Sequence, residues 1–242
     1  MFRLALLLLL VAGCSRAQPP TSVPAPAAAL PAAPEGYPAV APEALAPAGY
    51  PGADGDAASP AEGTRRFVLV PEASKVTYEV GEVLIREGNR YNLAVGTTTK
   101  VSGEVLVNLA DPTQSTVGPI QVDISAFVSD SQRRDQAIRD RWLESARFPL
   151  ATFKPTQIDG PTGLYADGTQ IAGQITGDLT VRDVTKPVTF DVSGRIVGGE
   201  MTGTATTALK MSDFGFPAPD ILGMIKAEDD VRITFDFVAR SQ

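Results

Sequence analysis

The chain of 242 residues contains no histidine and one cysteine, Cys14. Without histidine, Ser-His-Asp and Cys-His nucleophilic systems, imidazole acid–base chemistry and the usual zinc sites are excluded. A single cysteine excludes an internal disulfide and a cysteine metal cluster. Basic residues are outnumbered 21 to 28, for a net charge of −7. Binding to a phosphate backbone needs a basic field, so nucleic acid is not an expected partner. The sequence has no GxxxxGK[ST], GxGxxG or GxSxG motif and no Ca2+-binding loop. Neither a metal nor a cofactor is expected, and the chain is not expected to be an enzyme.

Long apolar runs are also missing. The longest opens the chain, MFRLALLLLLVAGC, where Arg3 precedes the apolar core Leu4 to Ala12. That core is too short to span a bilayer and has the form of a secretory leader. Its end, Val11-Ala12-Gly13-Cys14, resembles a bacterial lipobox. The resemblance implies a lipoprotein signal peptide over residues 1–13, cleavage before Cys14 and diacylglyceryl attachment to its sulfur. Residues 14–63 then carry 11 of the 20 prolines among many alanines. Proline removes helix donors and little here can be buried, so this reads as a disordered, partly polyproline-II tether with a reach of about 150 Å.

Residues 64–242 differ in pattern. They hold 19 Lys and Arg against 23 Asp and Glu, a balance of −4. Apolar residues recur with period two: Val76, Tyr78 and Val80; Val101, Gly103, Val105, Val107 and Leu109; Ile120, Val122 and Ile124. The pattern continues with Ile175, Gly177, Leu179 and Val181; Val188, Phe190, Val192 and Ile196; Val231, Ile233, Phe235 and Phe237. Such alternation predicts antiparallel strands with one apolar and one wet face. About eight in succession predict a sandwich or a closed barrel. Turns are expected at Asp111-Pro112, Gly118-Pro119, Gly160-Pro161, Asp167-Gly168 and Gly198-Gly199.

One helix interrupts the strands, in RRDQAIRDRWLESARFPLATF (Arg133 to Phe153), which holds the only tryptophan. Asp130 or Ser131 is the expected cap. Ile138, Trp142 and Ala146, with Leu143 beside them, form an apolar face. Asp135–Arg139 and Arg141–Glu144 are spaced for helical ion pairs. Pro149 ends the helix. Glu228-Asp229-Asp230 reads as a solvated turn before the last strand rather than an acid–base pair. Asp178 and Asp183 read as surface residues, and Lys186 beside Pro187 as a turn residue.

The alternation alone leaves a filled core and a hollow one equally open. Gly103, Gly177, Gly203 and Ala205 on the apolar face either leave space or mark bends.

Several segments in order resemble the YceI-like family: FVLVPEASKVTYEV, VGTTTKVSGEVLVN, RRDQAIRDRWLESARFPLATF, GDLTVRDVTKPVTFDV and MSDFGF. The most specific are Arg134-Asp135 with Phe148-Pro149-x-Ala151-x-Phe153, Gly177 to Thr180, Val184 to Val188, and Ser212 to Gly215. The resemblance covers about residues 66–240. It implies a mainly β fold, a single extended lipocalin-like antiparallel β-barrel with one or two short helices. It also implies an apolar tunnel for a polyisoprenoid lipid, such as the tail of an isoprenoid quinone.

On that basis the tunnel is expected to be lined by Tyr78, Val80, Val105, Val107, Phe127, Trp142, Leu143, Phe153, Leu179, Phe190, Phe214, Phe235 and Phe237. Trp142 is expected at the barrel mouth or wall, and Arg134 and Asp135 to clasp outer-face or loop partners. Expected partners are a long-chain isoprenoid lipid, a membrane through acylated Cys14, and a second copy in a homodimer. The expected place is the cell envelope, on its periplasmic or extracellular side. A structural or stress-protective envelope protein with a filled barrel is the alternative. Where many family members have His-Gly, this chain has Arg182-Asp183, which keeps a turn-forming residue but removes the imidazole.

Overall fold

The computed structural model describes residues 63–160, 165–221 and 223–242. The leader, Cys14 and the Pro/Ala-rich segment to residue 62 lie outside these residues.

The period-two alternation becomes one antiparallel sheet of fourteen strands. A first stretch comprises β1 (Thr64–Leu69) and β2 (Lys75–Leu84), divided at Pro71–Ala73, where proline has no ladder donor. A second comprises β3 (Arg90–Thr98), β4 (Val101–Ser102) and β5 (Glu104–Asn108). A third comprises β6 (Thr116–Val117), β7 (Ile120–Asp123) and β8 (Val128–Ser129). Helix α1 (Gln132–Ala137) follows. Then come β9 (Leu150–Asp159), β10 (Ile171–Val181), β11 (Val184–Val197), β12 (Glu200–Lys210), the short β13 (Asp220–Ile221) and β14 (Ile225–Ser241).

Each stretch pairs with the next. β1 and β2 pair with β5 and β3, which with β4 pair with β6, β8 and β7. From β7 the ladder runs through β9, β10, β11 and β12 to β14. The other edge of β14 pairs with β1 and β2, so the sheet curls until its last strand meets its first. The strands are more numerous than the eight expected because stretches break at Pro71–Ala73, Thr99-Lys100, Gly103, Gly118-Pro119 and Ile124–Ala126, and because the short β13 is added. At about 3.3 Å per residue, the 17 residues of β14 span about 55 Å. Gly198 and Gly199, both at positive φ, make the two-residue turn between β11 and β12.

The carboxylate run lies elsewhere than expected. Glu228-Asp229-Asp230 is inside β14, where the ladder to β2 shifts register between Ala227 and Val231. The three acids separate. Asp229 accepts from the Ser212 backbone N–H (2.9 Å) and hydroxyl (2.6 Å), and Asp230 pairs with Lys210 (2.8 Å).

The helix is shorter than its sequence pattern. Ser131 caps it, its hydroxyl accepting from Arg134 N–H at 3.4 Å. After Ala137 the backbone widens over Ile138–Trp142, so Leu143 N–H donates to the Ile138 carbonyl five residues back. The wider turn breaks the expected stripe: Ile138, Trp142 and Leu143 are half-buried, while Ala146 is exposed. Neither expected helical ion pair forms among the described residues. Asp135 is buried and accepts from Ser129 N–H (3.0 Å) and Ser129 hydroxyl (2.5 Å). Arg139 donates to the Phe127 carbonyl (3.4 Å), and Glu144 pairs with Arg182.

Asp135 thus ties α1 to β8 through charge-assisted bonds in a site with little water. Asp135→Ala is expected to lower the unfolding free energy by about 2–4 kcal/mol, because Ser129 is left unsatisfied. Urea denaturation measures this, and an unchanged midpoint would refute it.

Candidate functional site

The inner face of the sheet encloses an apolar cavity of about 1200 Å3. That exceeds the roughly 300–1,000 Å3 usual for drug-sized ligands. Its walls come from strand parity. β2 contributes Val76, Tyr78 and Val80; β11 contributes Phe190, Val192 and Ile196; β14 contributes Ile233, Phe235 and Phe237.

All thirteen residues expected from the sequence border it: Tyr78, Val80, Val105, Val107, Phe127, Trp142, Leu143, Phe153, Leu179, Phe190, Phe214, Phe235 and Phe237. Three aromatic pairs shape the wall. Tyr78 meets Phe127 edge-on at 5.2 Å between ring centroids, and Phe153 meets Phe190 edge-on at 5.0 Å. Phe235 and Phe237 lie tilted at 5.6 Å. Phe67, Ile196 and Ala239 are buried in a packed cluster near β1. Phe153, Phe190, Phe235 and Phe237, by contrast, remain half-buried although they face inward. The interior is therefore packed in places and hollow in others.

One end of the cavity lies beside α1. Ile138, Trp142, Leu143, Met211, Phe214 and Phe216 border it there. Toward the other end, the Tyr165 hydroxyl accepts from Ile196 N–H (2.6 Å). From Ile171 to Val181, both on the cavity wall, the chain runs about 33 Å along β10. The shape is elongated.

Two ion pairs hold the α1 end. Glu82 continues the inward parity of Val76, Tyr78 and Val80, and its side chain is 10% exposed. It accepts from Arg134 Nη2 (3.1 Å) and Nε (3.3 Å) and from Asn92 Nδ2 (3.1 Å). Burial alone would lower the Arg134 pKa, but hydrogen bonds to Glu82 and Asp130 outweigh it and hold the guanidinium above its usual value. On the opposite flank, Arg182 binds the Glu144 carboxylate and donates to the Trp142 carbonyl at 3.3 Å. Its guanidinium stands 5.9 Å from the Phe216 ring centroid. Arg182 and Glu144 both have positive φ (58° and 46°), an uncommon conformation for such side chains. Each strained residue is thus held by the other.

Sequence reasoning missed Glu82, Ile138, Met211 and Phe216 as cavity residues. Glu82 was legible by parity, two positions past Val80, but its charge argues against an inward place. Met211 and Phe216 lie on or just after a short turn, where no period announces them. Arg134, expected on outer or loop partners, binds the loop residue Asp130 and also the inward Glu82.

No group of His, Cys, Asp and Glu among the described residues has the spacing of a metal site. An elongated and mainly apolar cavity suits sequestration of a molecule that is mostly hydrocarbon.

A curled antiparallel sheet around such a cavity defines a class of lipocalin-like binding folds. Residues 67–239 match the YceI-like domain, and the chain belongs to that family. A UPF0312 protein of Pseudomonas putida is 32% identical over 136 residues, spanning 53% of this chain and 67% of that protein. A UPF0312 protein of Pseudomonas fluorescens is 30% identical over 154 residues, 61% and 76% of the two chains. Among solved structures, BcnA of Burkholderia cenocepacia superposes with a TM-score of 0.54 at 21% identity, over 70% of this chain and 98% of that one. A polyisoprenoid binding domain from Saccharophagus degradans gives 0.57 at 13% identity, over 73% and 98%. These two likenesses establish the fold.

Tyr78 carries an unusual hydroxyl. It is buried and has no hydrogen-bond partner among the described residues. The nearby Ser129 hydroxyl is already committed to Asp135, Arg134 and Ser131 N–H. Burial pushes the phenol up from 10.0 to about 12. In the unfolded chain the phenol ionises near 10, while the folded chain holds its proton until about 12. Stability is therefore intact below pH 10 and lost as pH rises through that window, by about 2–3 kcal/mol. Tyr78→Phe is expected to abolish this component of alkaline destabilisation. It is also expected to leave neutral-pH stability equal or about 1 kcal/mol higher, since an unsatisfied hydroxyl disappears. Urea melts of both proteins across pH 7–12 check this, and parallel pH profiles would refute it.

Proposed function

We propose that the protein is an envelope lipoprotein that binds a long-chain amphiphile with a polyisoprenoid tail, for carriage or storage in an aqueous space. The observation that carries this reading is the elongated, mainly apolar cavity of about 1200 Å3, with the Glu82–Arg134 pair on its wall. The isoprenoid class is supported by the likeness to the Saccharophagus degradans domain, a protein described as polyisoprenoid binding. An isoprenoid quinone fits the same chemistry. The hollow lumen favours this reading over a filled structural barrel.

Removing each methylene from water contributes about 0.8 kcal/mol. A bilayer offers the tail the same gain, so the protein's net preference over membrane is small. What the cavity adds is solubility outside the membrane. In this reading the acylated Cys14 and the Pro/Ala-rich tether keep the domain close to its lipid source while leaving it mobile. Two or three acyl chains anchor stably, where one chain binds only marginally.

Organic extraction and mass analysis of protein purified from its own envelope is the deciding experiment. A polyisoprenoid lipid in near-stoichiometric yield is expected, and a chain that never carries lipid would refute the reading. Trp142 borders the cavity, so its fluorescence is expected to shift on delipidation. An unshifted spectrum, with unchanged lipid yield in Trp142→Ala, removes the indole from the site. Cys14→Ser is expected to release the protein from membranes and abolish fatty-acid labelling. Retention of the label refutes the anchor.

A further inference from the structure

Gly96 faces Tyr78 across the β2–β3 ladder, so the two positions share the inner face. The phenol ring folds flat onto the glycine. A Cβ at residue 96 would lie 2.3 Å from Tyr78 Cε1, 2.5 Å from Cζ and 2.6 Å from the hydroxyl oxygen. All three nearest atoms belong to this one side chain. At Gly177 and Gly203, by contrast, the nearest atom is a backbone carbonyl oxygen. Gly96 is thus a recess shaped to one ring.

The orphan hydroxyl adds a second observation. The buried hydroxyl has no hydrogen-bond partner among the described residues, so no such bond to them fixes the ring. Its position is set by the recess and by the edge of Phe127. A ring without the recess has to swing toward the lumen, because Tyr78 borders the cavity on its other side. There it would narrow the bore near the α1 end, where Phe127 and Val80 also border it.

We propose that the Tyr78–Gly96 pair sets the bore of the cavity and thereby selects a methyl-branched tail over a straight one. This inference rests on the lipid-binding reading above and names the feature that gives it tail specificity. An isoprenoid chain carries a methyl branch in every repeat, so it needs a wider passage than a straight alkyl chain. The wider passage contacts a branched tail along its whole girth and leaves a straight one loosely held, with voids at its sides.

The test uses the full chain, delipidated, with geranylgeraniol and straight-chain hexadecanol as probes. The two share a head group and a main-chain length. The native protein is expected to prefer geranylgeraniol by about tenfold, the scale of two or more extra buried carbon groups. Gly96→Ala is expected to erase that preference, chiefly by weakening geranylgeraniol. Gly96→Ala/Tyr78→Leu, where the new methyl meets no ring, is expected to regain geranylgeraniol affinity to within about threefold. Circular dichroism and melting temperature establish that each variant is folded. Should Gly96→Ala fail to fold, the double variant decides alone. A folded double variant without recovery, or a native protein that binds both alcohols equally, overturns the bore assignment. A native protein that binds neither alcohol overturns the lipid-binding reading itself.

Discussion

A strand whose side chains alternate between water and an interior is stable only when its inner row finds apolar company. In this protein that company is supplied around a ring. β1 and β2 lie beside β14, β14 beside β12, and so on until β7 returns to β4. The ring leaves few unpaired edges and gives every stretch an inner face. It also fixes a perimeter. An eight-stretch perimeter is wide enough either to be filled by side chains or to hold one ligand, and side-chain size decides which. Phe67 and Ala239, both at 0% exposure, show the filled outcome near β1. Ala94, Gly96 and Ala205 on the same inner face show how the rest is kept open.

The chain passes from β8 to β9 outside the ladder, through α1 and the wide turn after it. Hydrogen bonds from a ladder cannot hold this segment, so side chains do. Asp135 ties it to Ser129, Arg134 to Glu82 on β2, and Glu144 to Arg182 on the β10–β11 turn. Ion pairs of this partly buried kind contribute little net stability, because desolvation offsets attraction. Their effect is positional. They fix Trp142 and Leu143 over the cavity from both flanks, and they make the segment sensitive to loss of any single partner. The positive φ at Arg182 and Glu144 fits the same account: local strain tolerated because the pair between them over-determines their place.

Most of the inner wall was legible in the sequence, since a period of two states which side chains share a face. All the strand residues assigned to the tunnel border the cavity for that reason. Where the period fails, legibility fails with it. Glu82 obeys the parity but hides behind its charge, and only the meeting with Arg134, 52 positions away, makes an inward glutamate tolerable. The stripe through Ile138, Trp142 and Ala146 assumed an unbroken 3.6-residue turn, and one wide turn moved Ala146 into solvent. Glu228 to Asp230 looked like a turn because acids seldom interrupt a strand, yet a register shift accommodates them within β14. Whether the barrel was filled or hollow could not be read at all. Alternation gives the direction of a side chain, not the distance to the opposite wall.

That distance matters more here than the apolar character of the wall. If the ligand is a membrane lipid, the bilayer competes with equal hydrophobic gain, and burial area cannot distinguish the cavity from its surroundings. What remains to the protein is shape: dispersion contacts that a fluid bilayer does not hold in place, lost steeply when a gap of even half an ångström opens. Close packing along the tail then carries the preference. A single position such as Gly96 can weigh on such a balance out of proportion to its size. It adds no contact of its own, but it determines where an aromatic ring stands.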